Sequence, residues 1–153
     1  MKELLFLSNS KIENKYPVKS IFLVDDDPIF VFLTRMIISS AGTTSEISEF
    51  SDGQMAIDFL NNNANSPEFL PDIIFLDLSM PVMDGWEFLK EYVLLEPRLK
   101  KRITLYIVSS SISPHEVERA KTFQVVSDFL IKPLEEERVA EIINASPDAG
   151  RRL

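Results

Sequence analysis

Four short apolar runs of this chain each stop at residues able to do chemistry. Ile21-Phe22-Leu23-Val24 leads into Asp25, Asp26 and Asp27, and Ile73-Ile74-Phe75-Leu76 leads into Asp77. The run from Ile103 to Val108 meets Ser109, Ser110 and Ser111, and Phe129-Leu130-Ile131 meets Lys132 and Pro133. Neighbouring parallel strands would bring these ends to one edge, where ligands of open α/β sheets bind. Asp25, Asp26 and Asp77 would then repel one another, and a proton or a cation must relieve them. Hard oxygen donors suit Mg²⁺, which takes one or two carboxylates and keeps several waters. An ammonium from Lys132 and a hydroxyl from Ser109 would complete a cage for the equatorial oxygens of a phosphoryl group in transfer. The carboxylate in the middle of that cage can act as nucleophile and become an aspartyl phosphate.

The elements that must position these residues are legible in the patterning. Each run is almost continuously apolar and often β-branched, as in strands buried on both faces of a parallel sheet. A weaker strand is expected around residues 44–50. Amphipathic stretches with start signals lie between the runs. Asp27-Pro28 offers an N-cap and a proline at the first helical position. Ser51 to Gln54 and Ser113 to Glu116 both fit a capping box. Asp84-Gly85 opens a further helix, and a last one is expected from Leu134 to about Ala145, with Val139, Ile142 and Ile143 on its buried face. The alternation βα, five times over, predicts an α/β fold: a doubly wound five-stranded parallel sheet. Segments 61–71 and 96–102, rich in Asn, Pro and charge, read as loops.

Composition narrows the function classes. At 153 residues and 45% hydrophobic, the chain is sized for one domain with a proper core. A net charge of −8 argues against a nucleic-acid surface, which needs clustered Lys and Arg. The chain has no cysteine, which excludes disulfides, thiolate metal sites and cysteine nucleophiles. No apolar run reaches the ~20 residues of a membrane span, and the short run after Met1 does not make a signal peptide. A cytoplasmic location is expected.

Four landmarks in order, Val24-Asp25-Asp26-Asp27-Pro28, Asp77-Leu78-Ser79-Met80-Pro81-Val82-Met83-Asp84-Gly85, Val108-Ser109-Ser110 and Lys132-Pro133, resemble those of the response-regulator receiver family. The resemblance covers residues 19–146, with 1–18 and 147–153 as tails. It implies the flavodoxin-like strand order 2-1-3-4-5. It implies Asp77 as phospho-acceptor, and a Mg²⁺ cofactor held by Asp26, by Asp25 through water, by Asp77 and by the backbone carbonyl of Ser79. It implies Ser109 as the switch hydroxyl, Ser110 as the small residue that leaves room for the phosphoryl group, Lys132 as the conserved-type lysine and Phe129 as the switch aromatic. Pro133 is implied to follow a cis peptide bond. The implied partners are a histidine kinase or histidine phosphotransfer protein and an unidentified downstream protein. The implied state is a monomer or a phosphorylation-dependent homodimer. With no output domain expected after residue 146, the signal would pass by protein contact, as a diffusible adaptor or as a relay intermediate.

Blander readings stand beside each of these. Asp27 and Asp84 have the position of helix caps, the three serines that of an ordinary loop, and His115 that of an exposed helix residue; Trp86 and the phenylalanines suit the core. A phosphatase of the haloacid-dehalogenase type would use Asp25 as nucleophile, Asp27 as acid, then Ser109 and Lys132, but it leaves Asp77 to Gly85 unexplained. A pseudo-receiver acting only by docking would be expected to lack an acid or the lysine, and none is missing. The expected protein is a signalling phospho-acceptor rather than an enzyme. Ser79 and Ser111 occupy positions that tune dephosphorylation in the family, and neither is an acid or amide that orients water well. The phosphorylated protein is therefore expected to lose its label over minutes or longer in a decay time course; a half-life of seconds would overturn this.

Overall fold

All four apolar runs are strands, and a fifth lies beside them. The computed structural model describes residues 19–41, 45–146 and 151–153. Strands β1 (Lys19–Val24), β2 (Ser45–Phe50), β3 (Ile73–Asp77), β4 (Thr104–Ser109) and β5 (Val126–Ile131) form one sheet in the order β2-β1-β3-β4-β5, every pair parallel. Thr44, expected at the start of the second strand, and the tail 1–18 lie outside the described residues. Parallel neighbours need crossover connections, and helices supply them: α1 (Pro28–Ser40), α2 (Gly53–Asn62), α3 (Gly85–Leu95), α4 (Pro114–Lys121) and α5 (Glu136–Asn144). The last helix starts two residues after Leu134, whose side chain is buried beside Val139, Ile142 and Ile143.

The sheet is buried on both faces because its strands alternate two apolar sets. Phe22, Val24, Ile74, Leu76, Leu105 and Ile107 meet Leu60 from α2, Phe88, Leu89 and Tyr92 from α3 and Ala120 from α4. Ile21, Leu23, Ile73, Phe75, Tyr106 and Val108 meet Phe30, Val31 and Ile38 from α1 and the buried face of α5. β3 is buried along its whole length, Asp77 included.

The starts of α1, α2 and α3 are set by carboxylates. Asp27 Oδ1 accepts from the N–H groups of Ile29 and Phe30, and Pro28 fills the first helical position. The cap of α2 is Asp52, which accepts from Met55 N–H at 2.9 Å, and not Ser51, whose hydroxyl faces the Met55 sulfur. Ser113 makes no side-chain cap bond at all. The full capping box is at α3, where Asp84 Oδ1 accepts from Glu87 N–H at 2.8 Å and Glu87 Oε1 from Asp84 N–H at 3.0 Å. A carboxylate is the stronger acceptor and its charge suits the helix N-terminus, so at α2 Asp52 displaces Ser51.

The segment 96–102 is more than a connection. It opens with a 3₁₀ turn, Glu96–Arg98. Arg98 then donates to Asn61, Lys100 N–H to the Ala64 carbonyl, and Lys101 to the Leu70 carbonyl while pairing with Asp72 at 3.3 Å. Its charges staple the edge of the sheet opposite the acidic one. At β5, residues 151–153 lie against the strand. The N–H groups of Arg152 and Leu153 both donate to the Ser127 carbonyl, and the Arg151 guanidinium donates to carbonyls of Lys121, Phe123 and Val126.

One glycine decides how the acidic strand end meets the next helix. Gly85 N–H donates to the Leu78 carbonyl, and a Cβ there would stand 2.5 Å from the Asp77 carbonyl oxygen and 2.7 Å from Leu78 Cα. Both obstacles are backbone and cannot swing aside. Gly85→Ala is therefore expected to lose about 1–3 kcal/mol of stability in urea denaturation, the overpacking cost outweighing alanine's better helix propensity. An unchanged or raised midpoint would show that the loop yields freely.

Candidate functional site

Because the strands are parallel and in this order, β1, β3, β4 and β5 deliver their final polar residues to one edge. Asp25 follows β1 directly and stays in the sheet's pattern, its N–H donating to the Phe50 carbonyl at 2.9 Å. Asp77 ends β3 and Ser109 ends β4; Asp25, Asp77 and Ser109 are all buried. Lys132 follows β5, and its N–H donates to the Ser109 carbonyl at 2.8 Å, tying the lysine backbone to the hydroxyl-bearing residue. The Lys132–Pro133 peptide bond is cis.

Electrostatics dominate here. Lys132 Nζ lies 2.8 Å from Asp25 Oδ2 and 3.3 Å from Asp77 Oδ1, with the lysine and both acids largely withdrawn from water. Burial, then the charge of Asp25, pushes the Asp77 carboxyl up to about 6 despite Lys132 and the Ser79 N–H, which favour the ionised form. Burial likewise raises Asp25. Burial alone would lower Lys132, but its bond to Asp25 and the charges of both acids outweigh that and hold it above its ordinary value. One ammonium thus serves two carboxylates, and the cluster is short of positive charge.

The donor set fits a hard divalent cation. Carboxylate oxygens of Asp25, Asp26 and Asp77 lie within 4.8 Å of one another, Asp26 being the exposed member. Asp25 Oδ2 is buried with an ion contact to Lys132 but no aligned hydrogen bond. One ammonium leaves the three acids with an excess of negative charge that a cation would relieve, and oxygen-only ligands suit Mg²⁺. A cleft beside these acids is lined by Asp25, Asp26, Val31, Phe32, Arg35 and Phe50.

The other sequence-derived residues take their places around this centre. Ser79 is exposed just beyond Asp77. Ser109 Oγ accepts from Ser111 N–H at 3.1 Å, and Ser110 and Ser111 are exposed in the loop that follows. Phe129 is half-buried on β5, against the core cluster of α2, α3 and α4, with Ile107 as its partner on β4. Asp27 is outside the cluster: its carboxylate is spent on the start of α1, which removes the acid the phosphatase alternative needs. His115 is exposed on α4. Trp86 is buried, stacked near Phe123 and covered by the Arg119 guanidinium at 4.3 Å.

Two features gave no signal in the sequence. Val82 sits at φ 66° in the loop between Asp77 and α3, a left-handed conformation that β-branched residues resist. It is held there by a tight turn, Met83 N–H to the Pro81 carbonyl at 2.7 Å, and by Gly53 N–H, which donates to the Met83 carbonyl. Phe30, expected with the other phenylalanines only as a core residue, places its ring 4.3 Å from Lys132 Nζ.

With this geometry in view, comparison with known proteins assigns the class. Residues 21–144 match the model of the response regulator receiver domain, and the chain belongs to that family. Among relatives, the two-component response regulator ORR1 of Oryza sativa subsp. japonica is 29% identical over 132 residues, covering 85% of this chain and 56% of the relative. The chain thus spans about half the length of that curated relative. Among solved structures, a two-component response regulator from Cytophaga hutchinsonii superposes with a TM-score of 0.71 at 28% identity, covering 81% of this chain and 95% of its own. The Mn²⁺-bound form of the response regulator Rcp1 gives 0.64 at 28% identity, with 82% and 88% covered. The fold is the flavodoxin-like receiver fold with order 2-1-3-4-5.

The raised Asp77 has a consequence for stability. In the unfolded chain it ionises near its ordinary 3.8, and in the native protein near 6. Between those values the native state binds more protons, so this residue's contribution to stability falls as pH rises through that window and the penalty is complete above it. Asp77→Asn is expected to stabilise the metal-free protein at pH 7 by on the order of 1–3 kcal/mol. The gain should shrink as pH falls below about 6 and vanish below about 4. Thermal melts of both proteins across that range measure it, and a gain that grows on acidification would reverse the assignment.

Proposed function

We propose that the chain takes a phosphoryl group onto Asp77 in a magnesium-dependent reaction and signals by phosphorylation-dependent protein contact. The observation that carries this is one buried carboxylate, Asp77, facing both a lysine ammonium at 3.3 Å and two further acids within 4.8 Å. That is a nucleophile with a fixed cation on one side and a cation-binding acid pair on the other.

The donor is a phosphohistidine of a histidine kinase or phosphotransfer protein. An Asp77 oxygen forms the new P–O bond in line with the breaking P–N bond, and the imidazole leaves with that electron pair. Mg²⁺, held by Asp25, Asp26, Asp77 and the Ser79 carbonyl, would neutralise charge on the phosphoryl oxygens when bound; a Mn²⁺-bound form of the related Rcp1 supports this choice of ligand class. Lys132 gives up its contact to Asp77 for a phosphoryl oxygen, and the Ser109 hydroxyl turns from the Ser111 N–H to donate to another. Ser110, which is exposed, leaves room beside them. The Ser109 carbonyl already accepts from Lys132 N–H, so both donors move with the ends of β4 and β5. Their movement biases the ring of Phe129 and reshapes the face of α4, β5 and α5, a two-state element shifted by a local charge.

Titration with beryllofluoride and Mg²⁺, read by amide NMR, tests this. Saturable shifts near Asp77, Ser109 and Lys132 are expected in the wild type and none in Asp77→Asn. Shifts that survive Asp77→Asn but vanish in Asp25→Asn would move the nucleophile to Asp25. No binding to the wild type would leave a docking module without phosphoryl chemistry.

A further inference from the structure

Lys132 is enclosed from three sides, and only two of them are charged. Its ammonium carries three N–H donors and no acceptor. Asp25 Oδ2 at 2.8 Å and Asp77 Oδ1 at 3.3 Å take two directions. The ring of Phe30 stands on a third, its centroid 4.3 Å from Nζ. That is well inside the range over which a cation is drawn to the negative face of an aromatic ring, and the attraction grows as the cation loses water. Here the lysine side chain is only 15% exposed. Phe30 itself is 7% exposed, packed with Val31 and Ile38 against β1 and β3, and its N–H is bonded to the Asp27 cap. The ring is therefore a fixed wall. Its neighbour Ile29 is 70% exposed, so the first turn of α1 sends one side chain inward, toward the lysine.

We infer that Phe30 is a positioning residue for phosphoryl transfer, its ring face holding the Lys132 ammonium between Asp25 and Asp77. The inference rests on the phospho-acceptor reading above. A lysine has a long flexible stem and much rotamer freedom to lose. Its two carboxylate partners cannot restrain it through the reaction, because one of them becomes the acyl phosphate and the other also serves the cation. The ring is the one neighbour of the three that neither ionises nor changes partner. It occupies a direction that water would otherwise solvate, so the ammonium remains available to the incoming oxygens. An aliphatic side chain of similar volume would fill the space without attracting the charge.

The experiment uses the full chain and three proteins: wild type, Phe30→Leu and Phe30→Tyr. Apparent beryllofluoride affinity at saturating Mg²⁺ is expected to weaken about three- to tenfold in Phe30→Leu and to return in Phe30→Tyr, which restores the ring face. Mg²⁺ affinity measured alone should be the same in all three, since Phe30 is not among the acids. In the wild type, the Lys132 side-chain methylene protons should be shifted upfield by the ring current, and this shift needs no variant to fold. The inference is overturned by unshifted Lys132 protons in the wild type, by Phe30→Leu binding as the wild type does, or by Phe30→Tyr binding as weakly as Phe30→Leu. A wild type that takes up no beryllofluoride overturns the phospho-acceptor reading itself, a result distinct from a wild type that binds but ignores residue 30.

Discussion

Two buried carboxylates, each within 3.3 Å of one largely withdrawn ammonium, set the terms for the rest of the molecule. Like charges withdrawn from water repel strongly, and a single lysine cannot neutralise both. The arrangement persists because each member is anchored by the backbone of a different strand, and those strands are locked by a core on both faces of the sheet. Folding must therefore hold a group of charges that would separate if free. The cost is visible in Asp77, whose proton is held up to about 6. The same imbalance that costs stability is what a divalent cation or a phosphoryl group would relieve in the proposed reaction.

The scaffold divides its work accordingly. Asp77 and Ser109 end strands and Asp25 follows one directly, all three buried, while Asp26 is exposed beyond β1. The stretch after Asp77 is an intermediate case: Val82 in a left-handed conformation, Gly85 pressed against the Asp77 carbonyl and the Met83 carbonyl tied to Gly53 make it a stiff bridge between β3, α2 and α3. A residue held off its preferred conformation persists only when its surroundings over-determine it. Ser110 and Ser111 lie exposed in the loop after β4, where the Ser111 N–H donates to Ser109 Oγ and the Ser113 N–H to Ser111 Oγ.

Much of this was legible in the chain before any coordinates. The buried strands announce themselves because a run such as Ile73 to Leu76 has no polar face to hide, and Asp77 stands out because it ends that run. Family resemblance supplied the strand order, which the sheet bears out, and the residue roles on which the proposed function rests; periodicity alone contains neither. What escaped is instructive. Asp52 rather than Ser51 caps α2, because two acceptors compete for one helix start and local pattern does not rank them. The work of residues 96–102 was invisible because its partners, Asn61, Ala64 and Asp72, are distant in sequence. Phe30 looked like any core residue on an apolar helix face; its relation to Lys132 exists only once the ends of β1 and β5 lie side by side.

The short contact of Arg151, Arg152 and Leu153 with β5 bears on how the molecule lives among copies of itself. A five-stranded sheet has two rims, and a bare rim of amide and carbonyl groups invites a stranger's strand. At one rim β2 carries exposed Glu46 and Glu49, and Arg35 pairs with Glu49, so that rim is bordered by charge. At the other, backbone donors of residues 152 and 153 already occupy the Ser127 carbonyl. One border is lined with charge and the other is partly covered by the chain's own segment, two devices that discourage a foreign strand from adding to the sheet.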